Sequence, residues 1–172
     1  MAVQFTDNSV KVKAALDDAI IAYLYEVAGE VEGQTKRNVP TTKRKGSGYF
    51  TQQKNAWTYR VDEANKEAIV GNPLEAALWT EFGTGEYALN GDGRKGYWVY
   101  VKDGSSGARS TNSKSYTLDE AKRIVAMMRE DGLDAHYTRG QTPKRPFFRA
   151  FNSLKPSLIR RAKEVLKARL GE

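Results

Sequence analysis

Thr117-Leu-Asp-Glu-Ala-Lys-Arg-Ile-Val-Ala-Met-Met-Arg-Glu-Asp-Gly-Leu-Asp-Ala-His-Tyr137 carries the clearest local grammar in the chain. Thr117 and Glu120 stand three apart, the spacing at which a hydroxyl and a carboxylate satisfy each other's backbone N–H at a helix start. Ala121, Ile124, Val125 and Met128 then recur at three- and four-residue intervals, giving the helix one apolar face. Gly132 ends it. Leu133, Ala135 and Tyr137 alternate with Asp134 and His136, the period of a strand, and Tyr97-Trp-Val-Tyr-Val-Lys102 upstream is another. Strand 97–102, helix 118–131 and strand 133–138 predict a βαβ or split βαβ unit. Between them Asp103–Ser115, rich in Gly, Ser, Asn and Lys, reads as an exposed loop. Residues 103–140 are therefore expected to form an insertion or lobe within a single domain spanning 1–172.

Outward from this unit the pattern turns helical at both ends. Asp7, Asn8 and Ser9 offer caps for a long first helix, and Val10, Ala14, Leu16, Ile20, Leu24, Val27 and Val31 carry its stripe. The pattern fades at Gly33 and must end before Val39-Pro40, about six turns in all. Tyr49 to Val70 reads as β structure with a turn near Asp62–Lys66. A short helix, Leu74–Phe82, is expected to carry Leu74, Ala77 and Leu78 on one face, which Phe82 can extend, and to stop at Gly83-Thr84-Gly85. After a loop over 139–146, a last helix from about Pro156 to Leu170 places Leu158, Ala162, Val165, Leu166 and Leu170 inward. The fold class is α+β: a small mixed or antiparallel sheet packed by long N- and C-terminal helices, with a βαβ-like insertion.

Composition narrows function. The 172 residues contain no cysteine and one histidine, His136, which excludes disulfides, thiol catalysis and a His-rich metal centre. No apolar run reaches the roughly 18 residues of a membrane span, and the first residues lack a signal-peptide core. A globular protein made in the cytoplasm, without cofactor or metal and not an enzyme, is the expectation. The net charge of +7 is uneven. Residues 36–45 hold Lys36, Arg37, Lys43, Arg44 and Lys45 with no acid, and the last thirty hold nine bases against two acids. Such clusters attract polyanions, nucleic acid above all; a solvated loop and a solvated helix face account for them equally.

Motifs for chemistry fail on context. Gly91-Asp-Gly93-Arg-Lys-Gly96 fits G-x-G-x-x-G, but a strand follows it where a nucleotide site needs a helix N-terminus. His136 and Asp134 share a strand face, yet no nucleophile or second base is placed beside them.

Two segments and their frame are more telling. Ala76-Ala-Leu-Trp-Thr-Glu-Phe-Gly-Thr-Gly85 follows Val70-Gly-Asn-Pro73, and Pro143-Lys-Arg-Pro-Phe-Phe-Arg-Ala-Phe151 leads into the basic last helix. With a long first helix ending in Lys36-Arg37-Asn38-Val39-Pro40, their order resembles the tail-completion, or head–tail joining, family of long-tailed double-stranded DNA phages. The region 103–140 departs from the shortest members. The resemblance implies a structural subunit of the virion neck, made in the bacterial host cytoplasm. It implies a ring, sixfold on the tail side, that completes the tail and joins it to the DNA-filled head.

Its implied partners are further copies of itself, neighbouring neck, connector, tail-terminator or tail-tube proteins, and passing duplex DNA, with no membrane. Glu81, Phe82, Gly83, Thr84, Gly85, Phe147, Phe148 and Arg149 are the candidate ring interface. The alternatives for them are a tight turn inside the subunit for 81–85 and core anchoring by Phe147, Phe148 and Phe151, with Arg149 paired to an acid. Lys36, Arg37, Lys43, Arg44 and Lys45 are candidates to face channel DNA, through phosphate contacts indifferent to sequence, or acidic surfaces of a neighbouring ring. A tail-terminator ring capping the tube is the nearest alternative function. A sequence-independent nucleic-acid-binding module is the alternative of another class.

Overall fold

A computed structural model describes residues 8–41, 48–102, 108–110 and 113–170 of the chain. Helix α1 runs over Ser9–Asn38 and stops where Val39 turns extended ahead of Pro40. It is about eight turns long, two more than the apolar stripe predicts. Gly33 does not end it, because the turns around it are held by burial and by side chains. Ala28, Val31 and Thr35 are buried, the Thr35 hydroxyl bonds the Val31 carbonyl at 2.7 Å, and Lys36 pairs with Glu32 at 2.7 Å. Tyr49–Ala56 forms a helix, α2, where β structure was expected. The aromatic pair Tyr49-Phe50 imitates a strand, but Thr-Gln-Gln-Lys-Asn after it has no alternation, and Gln53 is buried on the helix's inner side.

The chain divides into two compact units, residues 1–77 with 146–172, and residues 78–145. In the first, β1 (Thr58–Asp62) and β2 (Glu67–Gly71) form an antiparallel hairpin. Asp62 closes its turn, accepting from the Asn65 amide at 3.0 Å and side chain at 2.9 Å. Helix α5 (Pro146–Leu170) lies antiparallel along α1. Asn38 Nδ2 donates to the Pro146 carbonyl at 3.2 Å at one end, and farther along the Tyr23 hydroxyl donates to the Leu158 carbonyl. Arg161 reaches Glu26 at 2.6 Å and also grips Glu30. The last helix thus begins ten residues before the expected Pro156, with Pro146 at its first position and Pro156 inside it. Trp57 stacks flat on Phe147 at 5.7 Å, and Phe147 on Phe151 at 6.3 Å.

In the second unit, β3 (Trp98–Lys102), β4 (Ala108–Ser110) and β5 (Ala135–Thr138) form an antiparallel sheet in the order β4-β3-β5. Helix α4 (Leu118–Glu130) covers it. Val99, Ala121, Val125 and Ala135 are the core, flanked by Tyr97, Val101, Tyr116, Ile124 and Met128. The capping box is present: Glu120 accepts from the Thr117 amide at 2.8 Å, and the Glu120 amide donates to the Thr117 hydroxyl at 3.4 Å. The expected strand–helix–strand order holds, but β3 and β5 are adjacent and antiparallel. The cause is β4, in a stretch read as loop: it reverses the chain once more before α4. The α+β class stands, with two small antiparallel sheets and long terminal helices.

Candidate functional site

Helix α3 (Glu75–Phe82) ends in a glycine turn that is laced to residues 139–144. The Thr84 amide donates to the Gln141 carbonyl at 2.9 Å, and the Gln141 amide returns a bond to the Thr84 hydroxyl at 2.9 Å. The Glu86 amide donates to the Arg139 carbonyl at 3.0 Å and the Lys144 amide to the Thr80 carbonyl at 2.8 Å. Gly85 and Gly140 make this lacing possible. Both have positive φ, 61° and 127°; a Cβ on Gly85 would lie 2.3 Å from the Arg139 carbonyl oxygen, and one on Gly140 2.0 Å from that of Thr84.

The candidate ring residues of this turn therefore divide. Glu81, Gly83 and Gly85 are buried and Thr84 is half-buried, whereas Phe82 is 47% exposed. Phe82 has company at the surface: Leu78 is 56% exposed, beside Trp79 at 44% and Leu89 at 48%. The inner side of α3 is instead Ala77, Thr80 and Glu81. Periodicity placed Leu78 and Phe82 on one face correctly, but an apolar face does not declare whether it meets its own core or solvent.

Pro143–Phe151 divides too. Phe147 anchors the first unit through its stacks on Trp57 and Phe151. Phe148, 44% exposed, and Arg149 lie at the surface beside Gln34, Asn38, Asn152 and Ser153. The expected acid partner of Arg149 is not there: among the described residues it makes no ion pair. Of the basic candidates, Lys36 is occupied by Glu32, and Arg37 is exposed and turns its guanidinium to Gln34 Oε1 at 2.8 and 3.1 Å. Lys43, Arg44 and Lys45 lie outside the described residues.

No known protein family, curated protein or solved structure matches the chain. The geometry must speak by itself. His136 Nε2 lies 2.7 Å from Asp134 Oδ1, and the Tyr100 ring stacks on the imidazole at 5.5 Å. Burial, and secondarily Asp134, pushes the Tyr100 phenol above its ordinary range, so it stays protonated. The trio closes on itself. Two grooves lie between α1 and α5, and the one lined by Ala19, Ala22, Tyr23, Glu26, Val165 and Ala168 has its carboxylate spent on Arg161. No group of three His, Asp or Glu among the described residues is placed to hold a metal ion. Gly91–Gly96 leads into strand β3, the wrong context for a nucleotide. What the described residues offer is surface: an apolar face on α3 and a cationic outer side on α5.

Proposed function

We propose that the chain is a non-enzymatic structural protein of the phage neck, a ring subunit that completes the tail and joins it to the DNA-filled head. The observation that carries this reading is the lacing of its two signature segments. Ala76–Gly85 and the stretch 139–144 that runs into Pro143–Phe151 are more than fifty positions apart, yet the amides of Thr84, Gln141 and Lys144 join them, to the Gln141 carbonyl, the Thr84 hydroxyl and the Thr80 carbonyl, beside a glycine contact with no room for a side chain. Segments joined in this way act as a unit, and here the unit holds a helix whose outer face is apolar. A sixfold ring of these subunits would repeat Arg37 once per subunit, for phosphate contacts that let DNA slide.

The test is particle reconstruction. Virions of a phage encoding this chain, imaged by cryo-electron microscopy, should show it as a closed ring at the neck. Loss of the gene should give full heads and free tails that fail to join. A ring at the end of the tail tube alone would make it a terminator. Absence from the particle, with retardation of labelled DNA at low salt, would make it a nucleic-acid-binding module.

A further inference from the structure

Two apolar faces stand in solvent, and they differ in charge. On α3, Leu78, Trp79 and Phe82 share one side, and Leu89 joins them because its amide donates to the Phe82 carbonyl at 3.0 Å. Exposed Glu75 completes that side, and no lysine or arginine occurs between Lys66 and Arg94. Lys144, held to this helix by its amide, turns its ammonium to Thr142 at 3.1 Å. On α5, Ile159 (49% exposed) and Leu166 (38%) stand seven residues apart, off the Ala150–Leu158 side that packs on α1, and Phe151 (41%), stacked on Phe147, lies between the two sides. Lys155 and Lys163 lie in this stripe and Lys167 at its edge; all three are exposed and make no ion pair among the described residues.

We propose that the outer stripe of α5 in one copy docks on the outer face of α3 in the next. Apolar side chains on both sides supply the attraction, and the lysines meet a surface whose exposed charge is Glu75. Pairing two α5 stripes would set lysines against lysines, and pairing two α3 faces would leave the stripe in water. Joining unlike faces gives a heterologous contact, in which every copy keeps one free face of each kind, so the chain of contacts continues until rotation closes it. The inference rests on the ring reading for closure alone; the contact itself needs no virion.

The absence of cysteine makes the test clean. Asn90 beside the α3 face and Asn152 within the α5 stripe are exposed, and replacing them leaves every apolar and charged side chain in place. Asn90→Cys mixed with Asn152→Cys should, under mild oxidation, give a mixed disulfide dimer in several-fold higher yield than Asn90→Cys with Ala126→Cys, an exposed control on α4. The double variant should give a ladder, and adding Phe82→Glu should remove it while the circular dichroism is unchanged. Yield equal to the control, or Asn152→Cys linking to itself as readily, would overturn the proposal. A ladder with no closed species would keep this contact and sink the ring, whereas a closed ring without the 90–152 linkage would keep the ring and sink the contact.

Discussion

Gly85 and Gly140 show how single residues decide whether the second unit can close. Each sits at positive φ with a neighbouring carbonyl oxygen where a Cβ would go, so a methyl adds overlap to backbone strain. Gly140→Ala should destabilise the protein by about 3 kcal/mol, read as a lower thermal midpoint. Gly71→Ala, where a Cβ meets nothing within 4 Å and φ is negative, is the matched control and should change little. Thr117 and Glu120 set a second local dependence. The Thr117 amide, then its hydroxyl, bonds the Glu120 carboxylate and holds its pKa below the ordinary range. A carboxylate depressed on folding contributes stability that is complete above its unfolded pKa and disappears as pH falls through the folded value. The midpoint of the native protein should therefore fall more steeply than that of Glu120→Gln between neutral pH and about pH 3. Equal slopes would mean that the cap contributes nothing on its own.

At the scale of elements, α1 and α5 depend on each other. Pro156 has no N–H to give to the carbonyl four residues back, a defect costing about 3 kcal/mol in a free helix. Helix α5 passes through it because Ala150 and Leu158, buried on either side, pack against α1. Pro156→Ala should therefore stabilise the protein by about 1 to 2 kcal/mol, the recovered bond being partly offset by a freer unfolded chain. Leu158→Ala should cost about 3 kcal/mol, since it removes one of the most buried aliphatic groups in this contact. Both are read by denaturant titration. Arg161→Ala should lower the midpoint as well, by an amount that shrinks with added salt, because its grip on Glu26 and Glu30 is open to solvent.

At the scale of the whole molecule, the charge of +7 is a modest net excess left after every acid is set against a base, and several of the cations are held within the chain. Lys36 and Lys66 are engaged by Glu32 and Asp17, and Arg161 by two glutamates. The free chain should therefore bind duplex DNA weakly and without sequence preference. Fluorescence polarisation on two unrelated duplexes should give equal affinities that collapse between about 50 and 200 mM salt. A preference for one duplex would contradict phosphate-only contact. Assembly would multiply the effect, since a ring presents each remaining cation once per subunit.

The legible parts of this chain were those with a local cause. The capping box at Thr117, the stop before Pro40 and the alternation in 97–102 and 133–138 depend on neighbours within a few residues, and each stands where the sequence put it. The glycines of 83–85 announced a tight turn in the same way. Tertiary structure decided the rest. Helix α2 carries too few apolar residues in period to declare itself; Phe147, Ala150, Phe151 and Leu154 do stand in helical period, but Pro156 after them reads as a helix start, and it is packing on α1 that makes α5 continuous through it. Strand β4 exists by pairing with β3, and it reverses the sense of β5. Which side of α3 faces out was likewise undetermined in sequence. Leu78 and Phe82 are as apolar as any core pair, and only the burial of Thr80 and Glu81 behind them, with 139–144 laced to the turn, leaves them at the surface. Periodicity tells a helix which residues share a side; the space left by the rest of the chain tells it which side is inside.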